Sequence, residues 1–308
     1  MKFLLPVLLS LSLSQLFADE FIEKYQSLAA ADDQAAIEKF LAQAATDESE
    51  NPNYYAAAGN YWWGLASAVS VPAIKAGEYQ VDPKDLSITD PKTGKRVGSI
   101  GKAGEADPTI RKRAIATLSE GARKFPQRAD IALGLAHVQK AVGNRKGYVA
   151  ALTALLAQAK KDSDSLKWMN NAEMPEPAET FLPETVQTYS AALFNANTPA
   201  TDALCEELLA AVTDAFPDHP YAYNLKAALA DANGKPDEAL KMLETAFEKA
   251  PEDPLILSNL ADAYVKAGKK SAAITKYKKV LELDAAPRTK HKAEAALKKL
   301  EGGEAGEL

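Results

Sequence analysis

The sequence predicts an all-α protein, an α-solenoid of helix-turn-helix repeats carrying a small β-hairpin insertion. Three observations lead there. A 34-residue self-similarity runs through residues 220 to 286, apolar residues recur at helical spacing on both sides of turn glycines, and about residues 71 to 108 lack helical character, with Leu86 and Ile88 alternating with polar residues as strands do.

Along the chain, Met1 and Lys2 precede an apolar run from Phe3 to Leu13, then Ser14, Gln15 and Leu16-Phe17-Ala18 before Asp19. A positive start, a short apolar middle and a small residue at the cut make residues 1–18 a signal peptide, so the mature chain is expected to be exported, periplasmic or secreted. The run is shorter than the about 20 residues that a permanent membrane span needs, and no later segment reaches that length, so no transmembrane anchor is expected after cleavage. The sole cysteine, Cys205, leaves no intrachain disulfide, and a core must hold the chain together.

Residues 19–161 are expected to form degenerate helical repeats. Ala36 precedes Tyr54, and Ala114 precedes Ala132, by the same interval that separates Ala239 from Leu257. Between a helix from Tyr54 to about Ser67 and another from about Thr109 to Lys124, Leu86 and Ile88 alternate with polar residues. Asp90-Pro91-Lys92-Thr93-Gly94 is a turn cluster and Val97 to Ile100 returns, which reads as the hairpin. Residues 162–182, with Met174-Pro175-Glu176-Pro177, read as a linker with at most a short helix. Repeats and a capping helix are expected over 183–300, and a flexible tail over 301–308.

The period is clearest near the C-terminus. Ala227 pairs with Ala261, Gly234 with Gly268, Ala239 with Ala273, Leu240 with Ile274, Leu243 with Tyr277, and Ala246 with Val280, every pair at one and the same spacing. The alanines are small where two antiparallel helices approach closely. The glycines end a first helix where a left-handed residue is wanted, and Pro251 stops a second helix. Upstream, the same ruler pairs Tyr189 with Tyr223, Leu209 with Leu243 and Pro217 with Pro251.

These residues resemble the tetratricopeptide repeat family, whose signature is W-x2-L-G-x2-Y, A-x3-F and P within a repeat of this length. Leu257, Leu260, Ala261, Tyr264, Ala273 and Tyr277 stand at its places. Lys226 replaces the first-helix leucine of the preceding copy, Ala285 replaces the last proline, and the copy with Cys205 lacks its turn glycine. The resemblance implies a right-handed superhelix whose first helices line a concave groove for a protein or peptide. On that reading Tyr55, Trp62 and Trp63 line it early, then His137 and Lys140, then Phe194 and Asn197. Tyr221, Asn224, Asp231, Ser258, Asp262 and Lys266 complete the row. Trp62 and Trp63 lie about 100° apart on a helix, so one of them is free to pack under the insertion instead.

Charge limits the partner. Removing residues 1–18 takes Lys2 from the basic residues and nothing from the acidic ones, so the formal charge goes from -6 to -7, which argues against nucleic acid. From Lys266 to Lys299 there are 11 Lys/Arg against Glu282, Asp284 and Glu294, so this end carries +8 and the rest about -15. It is read as a solvated face of the last helices, with an anionic contact as the alternative.

No catalytic, cofactor or metal motif emerges. His137, His219 and His291 are scattered, and Gly94 to Lys102 fits no phosphate-binding spacing. Cys205 occupies a place for a small buried residue. The expected function is therefore a non-enzymatic exported scaffold without a cofactor. The alternatives are a structural envelope protein that meets an anionic polymer or membrane surface through its basic end, and a hydrolase with a site at the insertion.

Overall fold

The computed structural model describes residues 19–67, 86–89, 96–100 and 108–302. The signal peptide expected at 1–18 lies outside them, as do most of the segment from 71 to 107 and the tail from 303 onward.

Helices α1 (Glu20–Ala30), α2 (Gln34–Asp47) and α3 (Pro52–Ser67) open the chain, and α4 (Pro108–Lys124) follows the strands. Next come α5 (Ala129–Ala141), α6 (Arg145–Lys161), α7 (Ala178–Phe194), α8 (Pro199–Ala215) and α9 (Pro220–Ala232). Helices α10 (Pro236–Lys249), α11 (Pro254–Lys266), α12 (Lys270–Glu282) and α13 (Pro287–Gly302) complete the array. Strands β1 (Leu86–Thr89) and β2 (Arg96–Ile100) pair antiparallel, Leu86 opposite Ile100 and Ile88 opposite Gly98, with a register shift after Ile88. The connection between them, 90–95, is outside the described residues.

The chain forms two compact units. One runs to Thr117 and takes in Met169–Asn171; the other is built from Leu118–Trp168 and from Ala172 onward. In the first, Asp19 caps α1 through Phe21 N and also accepts hydrogen bonds from Asn51 and Asn53, at 2.9 and 2.6 Å, which ties the start of α1 to that of α3. Phe21 stacks on Phe40 at 5.2 Å and meets Tyr54 edge-on. Helix α3 is buried continuously from Asn53 to Gly59.

The second unit is a run of antiparallel helix pairs, α5/α6, α7/α8, α9/α10 and α11/α12, and α13 packs on α12. Each turn holds one residue with positive φ. Gly234 (+73°) and Gly268 (+70°) stand at the places the period assigns them. The residue after each donates its N–H five positions back, Lys235 to Ala230 O and Lys269 to Tyr264 O, closing the helix end. In the copy without a glycine, Asn197 takes this conformation (φ +48°), as its short polar side chain permits.

Ala227, Ala239, Ala261 and Ala273 are buried among Leu240, Leu243, Leu257, Leu260, Tyr277 and Val280. Cutting a fully buried leucine such as Leu260 to alanine in such a core costs about 2–5 kcal/mol.

The segment read as a linker is more ordered than expected. Leu166 is buried, Trp168 meets the ring of Phe181, and a parallel bridge joins Arg128 to Lys167. Arg128, fully buried, forks onto both carboxylate oxygens of Asp130 at 2.8 Å. Helix α7 starts at Ala178, inside that segment, and continues past Pro183.

Candidate functional site

Successive first helices of the C-terminal array touch, α9 to α11 and α11 to α13. Residues alternately three and four apart stay on one face of a helix. On α11 that rule groups Leu255, Asn259, Asp262 and Lys266; on α9, Tyr221, Asn224, Ala228 and Asp231; on α13, Arg288, Lys292, Ala295 and Lys299.

Side-chain contacts join these rows. Asn259 donates Nδ2 to Asn224 Oδ1 at 2.8 Å, Lys266 pairs with Asp231, and Lys292 of α13 pairs with Asp262. Asp262 also accepts the Tyr277 hydroxyl, and burial, with this hydrogen bond behind it, pushes that phenol up. Tyr221 donates to Asp253 Oδ2 at 2.7 Å, and this hydrogen bond, more than burial, pushes its phenol up to about 12. Beside the amide pair, Leu255 is 45% exposed.

The structure thus brings Tyr221, Asn224, Asp231, Asp262 and Lys266 together on one face. Ser258 is not on it. At 1% exposure it is packed inside, because α11 has α9, α10, α12 and α13 around it and buries Ile256, Leu257 and Ser258 in succession. Tyr55 and Trp62, in the N-terminal unit, are 2% and 3% exposed and do not line a surface. Tyr55 bonds Ser49 O at 3.0 Å, and the Arg113 guanidinium lies 3.7 Å over the Trp62 ring. Trp63 is half-buried on the same helix.

In the C-terminal unit His137 is exposed on α5, and Lys140 holds Nζ 4.7 Å over the Tyr189 ring. Phe194 is half-buried at the end of α7. Asn197 belongs to the turn, where the lost glycine drew it, and not to the helix face.

Asn259, Asp253, Leu255 and Lys292 were not foreseen. Asn259 had a signal, following Asn224 at the same distance along the chain as Lys266 follows Asp231. Lys292 had a fainter one, since Pro287 follows Pro254 by one residue less than the period and so shifts α13 off it.

Chemically, the face offers hydrogen bonding and charge. Asn224 keeps both amide N–H donors and Asn259 keeps its carbonyl and one N–H. Cys205 is fully buried with its thiol near Ser190 O, and burial pushes it up to about 11, so it stays protonated. Among the described residues no group of three His, Cys, Asp or Glu side chains is placed to hold a metal ion, and no helix is long and apolar enough to cross a membrane.

Residues 232–300 match the tetratricopeptide repeat family. No curated protein matches the chain. Among solved structures, a thermophilic TPR protein of Thermus thermophilus is 18% identical over 61% of this chain and 91% of its own, with a TM-score of 0.37. A tetratricopeptide repeat protein of Parabacteroides merdae is 14% identical over 92% and 86%, with a TM-score of 0.37. YrrB, a TPR protein with an unusual peptide-binding site, is 14% identical over 62% and 84%, with a TM-score of 0.38.

Proposed function

We propose that this chain, whose residues 232–300 are tetratricopeptide repeats, is a non-enzymatic exported scaffold that holds a protein or peptide segment against α9, α11 and α13. The observation that carries this reading is the Asn224–Asn259 amide pair beside the exposed Leu255. An extended peptide presents one N–H and one C=O per residue, and the unused donors and carbonyl of the pair match them. Leu255 supplies the apolar contact that orients a side chain, and the ion pairs at Asp231 and Asp262 hold the helices in register around it.

Export rests on the Met1 to Ala18 segment, and N-terminal sequencing of the mature protein tests it, with Asp19 the expected first residue. Crosslinked affinity capture from the envelope and secreted fractions tests the binding face. A partner enriched by the native chain and lost with Asn224→Ala/Asn259→Ala, while thermal unfolding stays cooperative, supports the reading. Equal enrichment by both proteins overturns it.

A further inference from the structure

Charge is segregated within this chain, and its basic part shares Arg288, Lys292 and Lys299 of α13 with the binding face, so a second copy docked there would meet the edge of that face. From Asp19 to Asn51 there are nine acidic residues against Lys24 and Lys39. Six of the nine, Asp19, Glu20, Glu23, Asp47, Glu48 and Glu50, lie at the start of α1 and the end of α2, and Asn51 bridges two of them by bonding Asp19 at 2.9 Å and Glu48 at 3.0 Å. Glu20, Glu23, Asp47 and Glu50 are exposed.

Helix α13 is the opposite. Its apolar side, Ala293 and Leu297, is buried on α12. At about 100° per residue, Arg288, His291, Lys292, Lys298 and Lys299 fall within roughly a third of the helix circumference around the exposed Ala295. Lys292 pairs with Asp262, whereas Arg288, Lys298 and Lys299 have no acidic partner among the described residues.

We propose that the outer face of α13 docks on the acidic α1–α2 end of a second copy of this chain. An anionic surface would attract α13 but repel the remainder, which carries the larger charge of opposite sign to α13. A second copy offers the complement to that helix face and has its own basic face left over. The two surfaces differ, so the contact is heterologous, and copies joined by it close into a ring or extend according to the rotation it imposes. One helix face is small beside the roughly 800 Å² per partner of a standard interface. The association is accordingly weak, rapid and governed by ionic strength.

Sedimentation velocity on the mature chain tests this. At about 20 mM NaCl the weight-average mass is expected to climb with concentration above that of the monomer, and at about 500 mM, where the Debye length falls to a few ångström, to return to the monomer. Arg288→Glu/Lys298→Glu/Lys299→Glu and Glu20→Lys/Glu23→Lys/Asp47→Lys, all exposed positions, should each be monomeric alone at low salt, and their equimolar mixture should regain association. The milder Lys298→Gln/Lys299→Gln, monitored by circular dichroism for folding, should weaken it. A monomer at every concentration in low salt, growth that survives either reversal, or pelleting of the monomer with anionic phosphatidylglycerol vesicles would overturn the proposal.

Discussion

The Tyr221 hydroxyl donates to Oδ2 of Asp253 at 2.7 Å, while Oδ1 of the same carboxylate accepts the backbone N–H groups of Leu255 and Ile256. One side chain thus caps α11 and ties α9 to it. Asp253→Ala removes both roles and is expected to cost about 2 kcal/mol, as a lost N-cap and an orphaned phenol together imply. Tyr221→Phe should cost about half of that, because the cap survives. Urea midpoints for the two variants check the ratio, and equal losses would show that the tyrosine bond carries everything.

Lys226 stands where the next copy has the fully buried Leu260. Its amine reaches Thr213 Oγ1 at 3.5 Å, and Ala210 and Ala211 leave an open cleft beside it. Lys226→Leu restores the repeat's apolar residue and is expected to raise stability by about 1 kcal/mol. A fall in the urea midpoint would mean that the lysine is held by more than this contact.

His219 is half-buried with Nδ1 unpartnered, edge-on to Tyr221 and against Val186, Leu209 and Val212. Burial pushes its imidazole down, while Glu184 opposes the shift. The folded protein therefore binds the proton less readily than the unfolded chain, so stability is full above the ordinary histidine value of about 6.5 and is lost as pH falls below it. His219→Gln is expected to flatten unfolding midpoints between about pH 7.5 and pH 5. Identical slopes for the variant and the native chain would place the sensitivity elsewhere.

The turn residues give opposite signs for similar changes. At Gly234 a Cβ would meet no atom within 4 Å, so Gly234→Ala is opposed by the positive φ alone and should cost about 1 kcal/mol. Asn197→Gly relieves the same strain and should be stabilising or neutral, within about 1 kcal/mol. Denaturant titrations of both variants check the pair.

Helix pairing in the C-terminal array was legible because each anchor answers one local demand, a small residue at a close approach or a left-handed residue at a turn. Asn197 shows how far this reaches: the glycine is missing, yet the turn keeps its conformation through a residue that tolerates it. Burial was harder to read. Tyr55, Trp62 and Ser258 lie off the apolar stripe, and a stripe describes a helix with one packed side, whereas α3 and α11 are packed over a wider arc. The period does not mark the Asn224–Asn259 pair, because Asn224 and Asn259, like Asp231 and Lys266, stand one position further apart than the period. Helix α13 follows α11 one position short of the period, so in the sequence its basic residues stand out as a composition and not as a continuation of the same face.

Site-specific photocrosslinking from Leu255 tests the central claim most directly. A photoreactive residue placed there in the exported protein, and another at the exposed Glu206 of α8, would be irradiated in the producing cells. A discrete adduct from position 255 that is absent from position 206, and that disappears when Asn224 and Asn259 are alanine, is the predicted result. Adducts of equal yield from both positions, or adducts indifferent to the amide pair, would contradict it.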